Sequence, residues 1–152
     1  MGLLDCASAA SLWRGYDYYN EKRATLYQKL SDTVFSGMVS GSGSASYKVE
    51  IDIAHPKRSK CNCPHADGRR IICKHMVALY FTVFPEEAVR IYNEAIKYEE
   101  EEEAYQEQME QKLVRYVHSM KKEELREALL DILFSGPEWQ YEHFIRDYVG
   151  WD

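Results

Sequence analysis

The cleanest pattern in the chain lies at Ser46 to Ile53. There Tyr47, Val49, Ile51 and Ile53 alternate with Ser46, Lys48, Glu50 and Asp52. Side chains two apart share one face of a strand, so this segment predicts a half-buried antiparallel strand. Val34 to Val39, rich in β-branched and aromatic residues, predicts its partner, and Ser40-Gly41-Ser42-Gly43-Ser44 predicts the hairpin loop. A weaker strand is expected over Thr25 to Ser31. Before it, Leu12, Trp13, Tyr16 and Tyr19 fall at helical spacing, which predicts a helix within Ala7 to Arg23.

Downstream the period changes from two to steps of three and four. A helix is expected from about Cys73, through Met76-Val77-Ala78-Leu79-Tyr80-Phe81. Pro85 followed by Glu86 and Glu87 reads as the start of a second helix, running to about Met120. The run Glu99 to Glu103 lies within it and reads as a solvated stretch. Lys121 to Phe134 predicts another helix with Leu125, Leu129, Ile132 and Leu133 turned inward. Ser135-Gly136-Pro137 ends it and begins the next. The last helix is expected to bury Phe144, Ile145 and Tyr148.

Between the strand and the first downstream helix lies the candidate chemistry. Cys61-Asn62-Cys63 is followed, after nine residues, by Cys73-Lys74-His75, and three of the chain's four cysteines are used there. Residues two apart on an extended segment project to one side, so Cys61 and Cys63 can grip one ion. Cys73 and His75 begin a helix whose N-terminal dipole favours a thiolate. Three thiolates and one imidazole close a tetrahedral Zn²⁺ site. Such a filled site has no open position for water or substrate, so it reads as structural and non-enzymatic. No His-Glu-x-x-His, Gly-x-Ser-x-Gly or phosphate-loop pattern is found. His65 is an alternative fourth ligand. His55, His118 and His143 are lone histidines, and Cys6 reads as a small packing residue or a free thiol.

These segments together resemble the SWIM zinc finger family. The residues that carry the likeness are Arg14-Gly15-Tyr16-Asp17-Tyr18-Tyr19, the Val34 to Ile53 hairpin, Cys61-Asn62-Cys63-Pro64 and Cys73-Lys74-His75-Met76-Val77-Ala78. The likeness spans about residues 8–84. Val114 to Leu133, with Lys122-Glu123-Glu124-Leu125, is similar to the helical segment that follows the finger in standalone bacterial members. Lys121 departs from the Ser or Asp cap expected there. The resemblance implies an α+β, ββα-type zinc fold and a role in binding nucleic acid or protein.

Charge sharpens the choice of partner. Residues 1–80 hold 11 Lys and Arg against 7 Asp and Glu, a net +4, whereas residues 81–152 hold 8 against 18, a net −10. Lys57, Arg58, Lys60, Arg69, Arg70 and Lys74 crowd the finger, and Asp67 is the one acid between residues 55 and 76. Phosphate contacts need such a cluster, so nucleic acid, DNA first, is the expected partner. The alternative is a protein adaptor or inhibitor that uses the acidic C-terminal helices, including as a nucleic-acid mimic. The expected division is a finger domain at 1–84 and an acidic helical segment at 85–152. The N-terminus lacks the basic start and apolar run of a signal peptide, and bunched cysteines suit a reducing setting, so a cytoplasmic protein is expected.

Overall fold

The computed structural model describes residues 2–150. They cluster into two units, Met1–Ile96 and Lys97–Asp152. The first unit holds helix α1 (Ala9–Asn20), strands β1 (Ala24–Lys29), β2 (Val34–Ser40), β3 (Ser46–Asp52) and β4 (Lys60–Cys61), and helix α2 (Lys74–Val83). Helix α3 (Pro85–Ser119) begins there and continues into the second unit, which also holds α4 (Lys122–Ser135) and α5 (Glu138–Phe144). A π-helical turn follows at Ile145–Val149. Among the described residues no helix is long and apolar enough to cross a membrane.

The four strands form one antiparallel sheet in the order β1-β2-β3-β4. The hairpin register sets Phe35 opposite Ile51, Gly37 opposite Val49 and Val39 opposite Tyr47. Phe35, Val39, Val49 and Ile51 are all buried, so the alternation seen in the sequence does select the core face. Asp52 breaks that alternation, because it is buried although it falls on the polar face. Its location is explained by the turn it builds. Asp52 Oδ1 accepts the backbone N–H groups of Ala54 (3.1 Å) and His55 (2.9 Å), and its own N–H donates to buried Ser59 Oγ at 3.0 Å. Those bonds reverse the chain after β3 and return it as β4. This two-residue strand is too short to announce itself by periodicity.

Helix α2 lies against the sheet and α1, and is buried from His75 through Leu79 and again at Phe81. An all-round apolar helix of this kind belongs in a core. Helix α1 is capped by Ser8, whose Oγ accepts the Ser11 N–H at 3.2 Å. It crosses α2 at Gly15. A Cβ there would lie 2.5 Å from Val77 Cβ and 2.9 Å from the Lys74 carbonyl oxygen.

The second unit departs from expectation. On α4 only Leu133 is buried, while Leu125, Leu129 and Ile132 stand exposed. In the last helical stretch Phe144 and Ile145 are half-buried and Tyr148 is exposed. Periodicity identifies the apolar face of each helix correctly, but nothing among the described residues covers most of it. Lys121 also proves better served than its side chain suggests. Its N–H donates to Glu124 Oε2 at 2.7 Å, so the carboxylate three residues on supplies the cap.

Gly15→Ala tests the α1–α2 crossing. In an open helix the added methyl would help by roughly 0.5–1 kcal/mol. Here overpacking against Val77 dominates, and a net loss of about 1–2 kcal/mol is expected. Urea denaturation of the two proteins measures it, and a Gly15→Ala protein as stable as the parent would show that the crossing can relax.

Candidate metal centre

Two short local structures bring the four ligands together. The first is the Cys61-Asn62-Cys63 knuckle. Cys61 is the last residue of β4 and pairs with Val49 of β3. Asn62 fastens the knuckle to the same strand, since its Oδ1 accepts the Lys48 N–H at 2.8 Å and its own N–H donates to the Lys48 carbonyl at 3.3 Å. The intervening residue of the Cys-x-Cys pair therefore clamps both cysteines to the sheet. After Cys63 the chain turns, with the N–H groups of Ala66 (3.0 Å) and Asp67 (2.9 Å) donating to the Cys63 carbonyl. Gly68 continues this loop at φ 68°, in the left-handed region where glycine is favoured.

The second structure is the start of α2. Cys73 takes the N-cap position, and its carbonyl accepts the N–H groups of Met76 and Val77. His75 follows in the first turn. The ligand atoms of Cys61, Cys63, Cys73 and His75 all lie within 4.8 Å of one another, and all four residues are buried. His75 Nδ1 is 3.8 Å from Cys61 Sγ and 3.9 Å from Cys73 Sγ. A tetrahedral zinc with ordinary Zn–S and Zn–N bonds would set these atoms about 3.6 Å apart, so small inward shifts suffice. His65 is exposed and stands outside the cluster. Residues 47–84 match the SWIM zinc finger family.

That match covers β3, β4 and α2, the elements that carry all four ligands, while α1, β1 and β2 lie upstream of it. No curated protein and no solved structure matches the chain. The donor set fits zinc. It comprises three soft sulfurs and one imidazole, contains no carboxylate and is shielded from water. The SWIM finger of this chain is a zinc-binding module with Cys61, Cys63, Cys73 and His75 placed to hold the ion.

The electrostatics follow from burial. Hydrogen bonding from the Cys61 thiol, assisted by His75 and the backbone N–H groups of Met76 and His75, holds Cys73 well below the ordinary thiol range. The same contact with Cys73, together with burial, pushes Cys61 up. Cys73 is therefore the readier thiolate of the pair, and a metal that takes both sulfurs as thiolates must displace protons. Zinc binding is thus favoured as pH rises.

Aromatic rings enclose the histidine. Tyr47 lies 4.6 Å and Tyr18 5.5 Å from the His75 ring, centroid to centroid. Lys74 Nζ donates to Tyr18 Oη at 2.7 Å and lies 4.3 Å from the centre of the Tyr18 ring, as does the Arg23 guanidinium carbon. Lys74, between Cys73 and His75 in the chain, would offset a centre that carries a net charge of −1 with zinc bound, whereas Arg23 is ion-paired with Glu21. His75 Nε2 is buried and has no hydrogen-bond partner, so on that side packed rings hold the imidazole, while Nδ1 faces the Cys61 and Cys73 sulfurs. Sequence reasoning missed Tyr18, Tyr47, Arg23 and Asn62 as neighbours of the metal. Tyr47 was legible as an inward residue of its strand, but the position of Tyr18 depends on how α1 folds back.

The six basic residues expected to contact nucleic acid divide into two groups. Lys57, Arg58, Lys60, Arg69 and Arg70 are exposed. Lys74 is half-buried and engaged with Tyr18. Beside the metal ligands lies a cavity of about 400 Å³ whose lining includes Ser8, Ser11, Arg14, Tyr47, His65 and Lys74, with no acidic residue.

Cys63→Ser should abolish stoichiometric zinc binding and sharply lower the melting temperature, because the metal organises a unit too small to hold its own core. Cys6→Ser, outside the cluster, should retain zinc and melt within a few degrees of the parent. Metal analysis by plasma mass spectrometry alongside thermal melts tests both. Equal melting of the parent and Cys63→Ser would exclude a structural role for the ion.

Proposed function

We propose that the finger is a nucleic-acid-binding module, with DNA the first candidate. The observation that carries this reading is the state of its cations. Lys57, Arg58, Lys60, Arg69 and Arg70 are exposed, and none has an ion-pair partner among the described residues. In the helical stretch Arg90, Arg126 and Arg146 are each paired with a neighbouring carboxylate, whereas Lys112, Arg115, Lys121 and Lys122 have no such pair among the described residues. Unpaired cations fixed on a rigid zinc-held scaffold suit phosphate, since little is lost in freeing them. The cavity beside the metal adds to this reading. The N-terminus of α1 opens onto it, Arg14 and Lys74 line it, and no carboxylate there would repel a phosphate.

A second reading is favoured by the exposed apolar side chains of the second unit, among them Phe134, Trp139 and Tyr148. Large apolar surface on a folded chain marks protein contacts. On this view the chain is a protein adaptor or inhibitor and its acidic helices do the binding. Pull-down before and after nuclease treatment separates the two, because partners held through nucleic acid are lost on digestion.

Arg69→Ala and Arg70→Ala should weaken binding to duplex DNA about equally across sequences. Each should flatten the dependence of log affinity on log salt by roughly one, as expected for the loss of one phosphate contact. Fluorescence anisotropy over a salt series measures this. Affinity and slope unchanged in the double variant would remove the nucleic-acid reading.

A further inference from the structure

Helix α3 carries an apolar stripe in heptad register. Ala88, Ile91, Ala95, Tyr98, Tyr105, Met109 and Tyr116 follow alternating steps of three and four, with Glu102 and Lys112 filling the two intervening positions. Over the first turns the first unit covers it: Ala88 is buried and Ile91 packs on the core. From Tyr98 onward the stripe is bare. Exposure runs from 45% at Met109 to 68% at Tyr98, with Tyr105 and Tyr116 between. A seam of this kind on a continuous helix is built to meet another helix.

Charge selects the partner and its direction. Residues 97–110 hold seven glutamates against Lys97 alone, whereas the rest of α3, residues 111–119, holds Lys112 and Arg115 with no acid. Lys112 and Arg115 have no ion pair among the described residues, and Glu101 has only a 3.6 Å contact with exposed Lys97. A helix acidic at one end and basic at the other complements a second copy of itself, provided that the copy runs in the opposite direction.

We propose that the exposed half of α3 pairs antiparallel with the same helix of a second copy of this chain. Setting Tyr105 opposite Met109 of the copy fixes the register. Tyr98 then meets Tyr116, and Glu102 meets Lys112, so the two charges that interrupt the seam neutralise each other. At the flanks, Glu101 falls beside Arg115 of the copy. A parallel pair would instead face Glu102 with Glu102 and Lys112 with Lys112, a repulsive arrangement. This inference does not depend on the nucleic-acid reading.

Sedimentation of the full-length zinc-loaded chain over a concentration series tests the pairing. The parent should form dimers. Glu102→Lys and Lys112→Glu should each raise the dimer dissociation constant by about tenfold or more, because each places like charges opposite one another. The double variant E102K/K112E should return it to near the parental value, and an equimolar mixture of the two single variants should associate. Both positions are exposed, and circular dichroism checks that helix content is unaltered. A parent that stays monomeric throughout the series overturns the proposal. So does a dimer indifferent to the single substitutions, or a double variant as weak as the singles. A monomeric chain that captures a different protein through this seam overturns it equally.

Discussion

Everything in the first unit is arranged around the convergence of three thiols and an imidazole at a place that water does not reach. Cys61, Cys63 and Cys73 belong to the hydrophobic core itself, beside Val49, Met76 and Leu79. Without a metal such a cluster is an electrostatic liability. A buried thiolate is costly, and burial together with the contact to Cys73 pushes the Cys61 thiol up. With zinc the same groups would become a cross-link tying β4 to the start of α2, added to the turn bonds and the buried Ala66 and Ile72 that already hold the loop between them. The supporting parts follow from that need. Asn62 locks the knuckle to β3, Gly15 lets α1 approach α2, and Tyr18 and Tyr47 wall in the imidazole.

The ligand set was legible in the sequence because chelation constrains residue type and spacing together. Core packing alone would accept many apolar residues at Cys61, Cys63 and Cys73, whereas a metal accepts only donors, and only at separations the chain can close. The hairpin was legible for a related reason, since a sheet with one buried face imposes a strict alternation, and Ser46 to Ile53 displays it. Legibility ended where a residue's role depends on tertiary approach. Asp52 reads as a surface acid but is buried by the turn it caps. Tyr18 reads as one of several aromatics in a helix, and only the return of α1 across α2 sets it against His75 and Lys74. Lys74 itself reads as one more finger cation, although its ammonium is occupied.

The helical stretch shows a different limit. Periodicity reports that a helix has an apolar face, and it did so for α3 and α4. It does not report whether the chain contains anything to cover that face. Leu125, Leu129 and Ile132 were expected inward on the ordinary assumption that a chain buries its own apolar stripes, and they stand exposed. The charges of α3 carry the missing information. Glu99 to Glu103 looks like a solvated run in isolation, and becomes directional only when set beside the acid-free stretch from Gln111 to Lys122.

Pairing through α3 would also change how the finger meets a polyanion. Between residues 57 and 70 a single finger offers five exposed cations, a small electrostatic footprint that salt readily screens. Two copies joined by their helices present two such footprints, and once one has engaged, the second binds as an intramolecular event at high effective concentration. In the antiparallel arrangement Glu102 and Glu101 of one copy would be set against Lys112 and Arg115 of the other. Part of the charge opposed to phosphate would then be neutralised within the pair. The opposite signs of the two halves of the chain would in this way be compatible with the proposed nucleic-acid binding: the basic finger would meet the partner and the acidic helix its own copy.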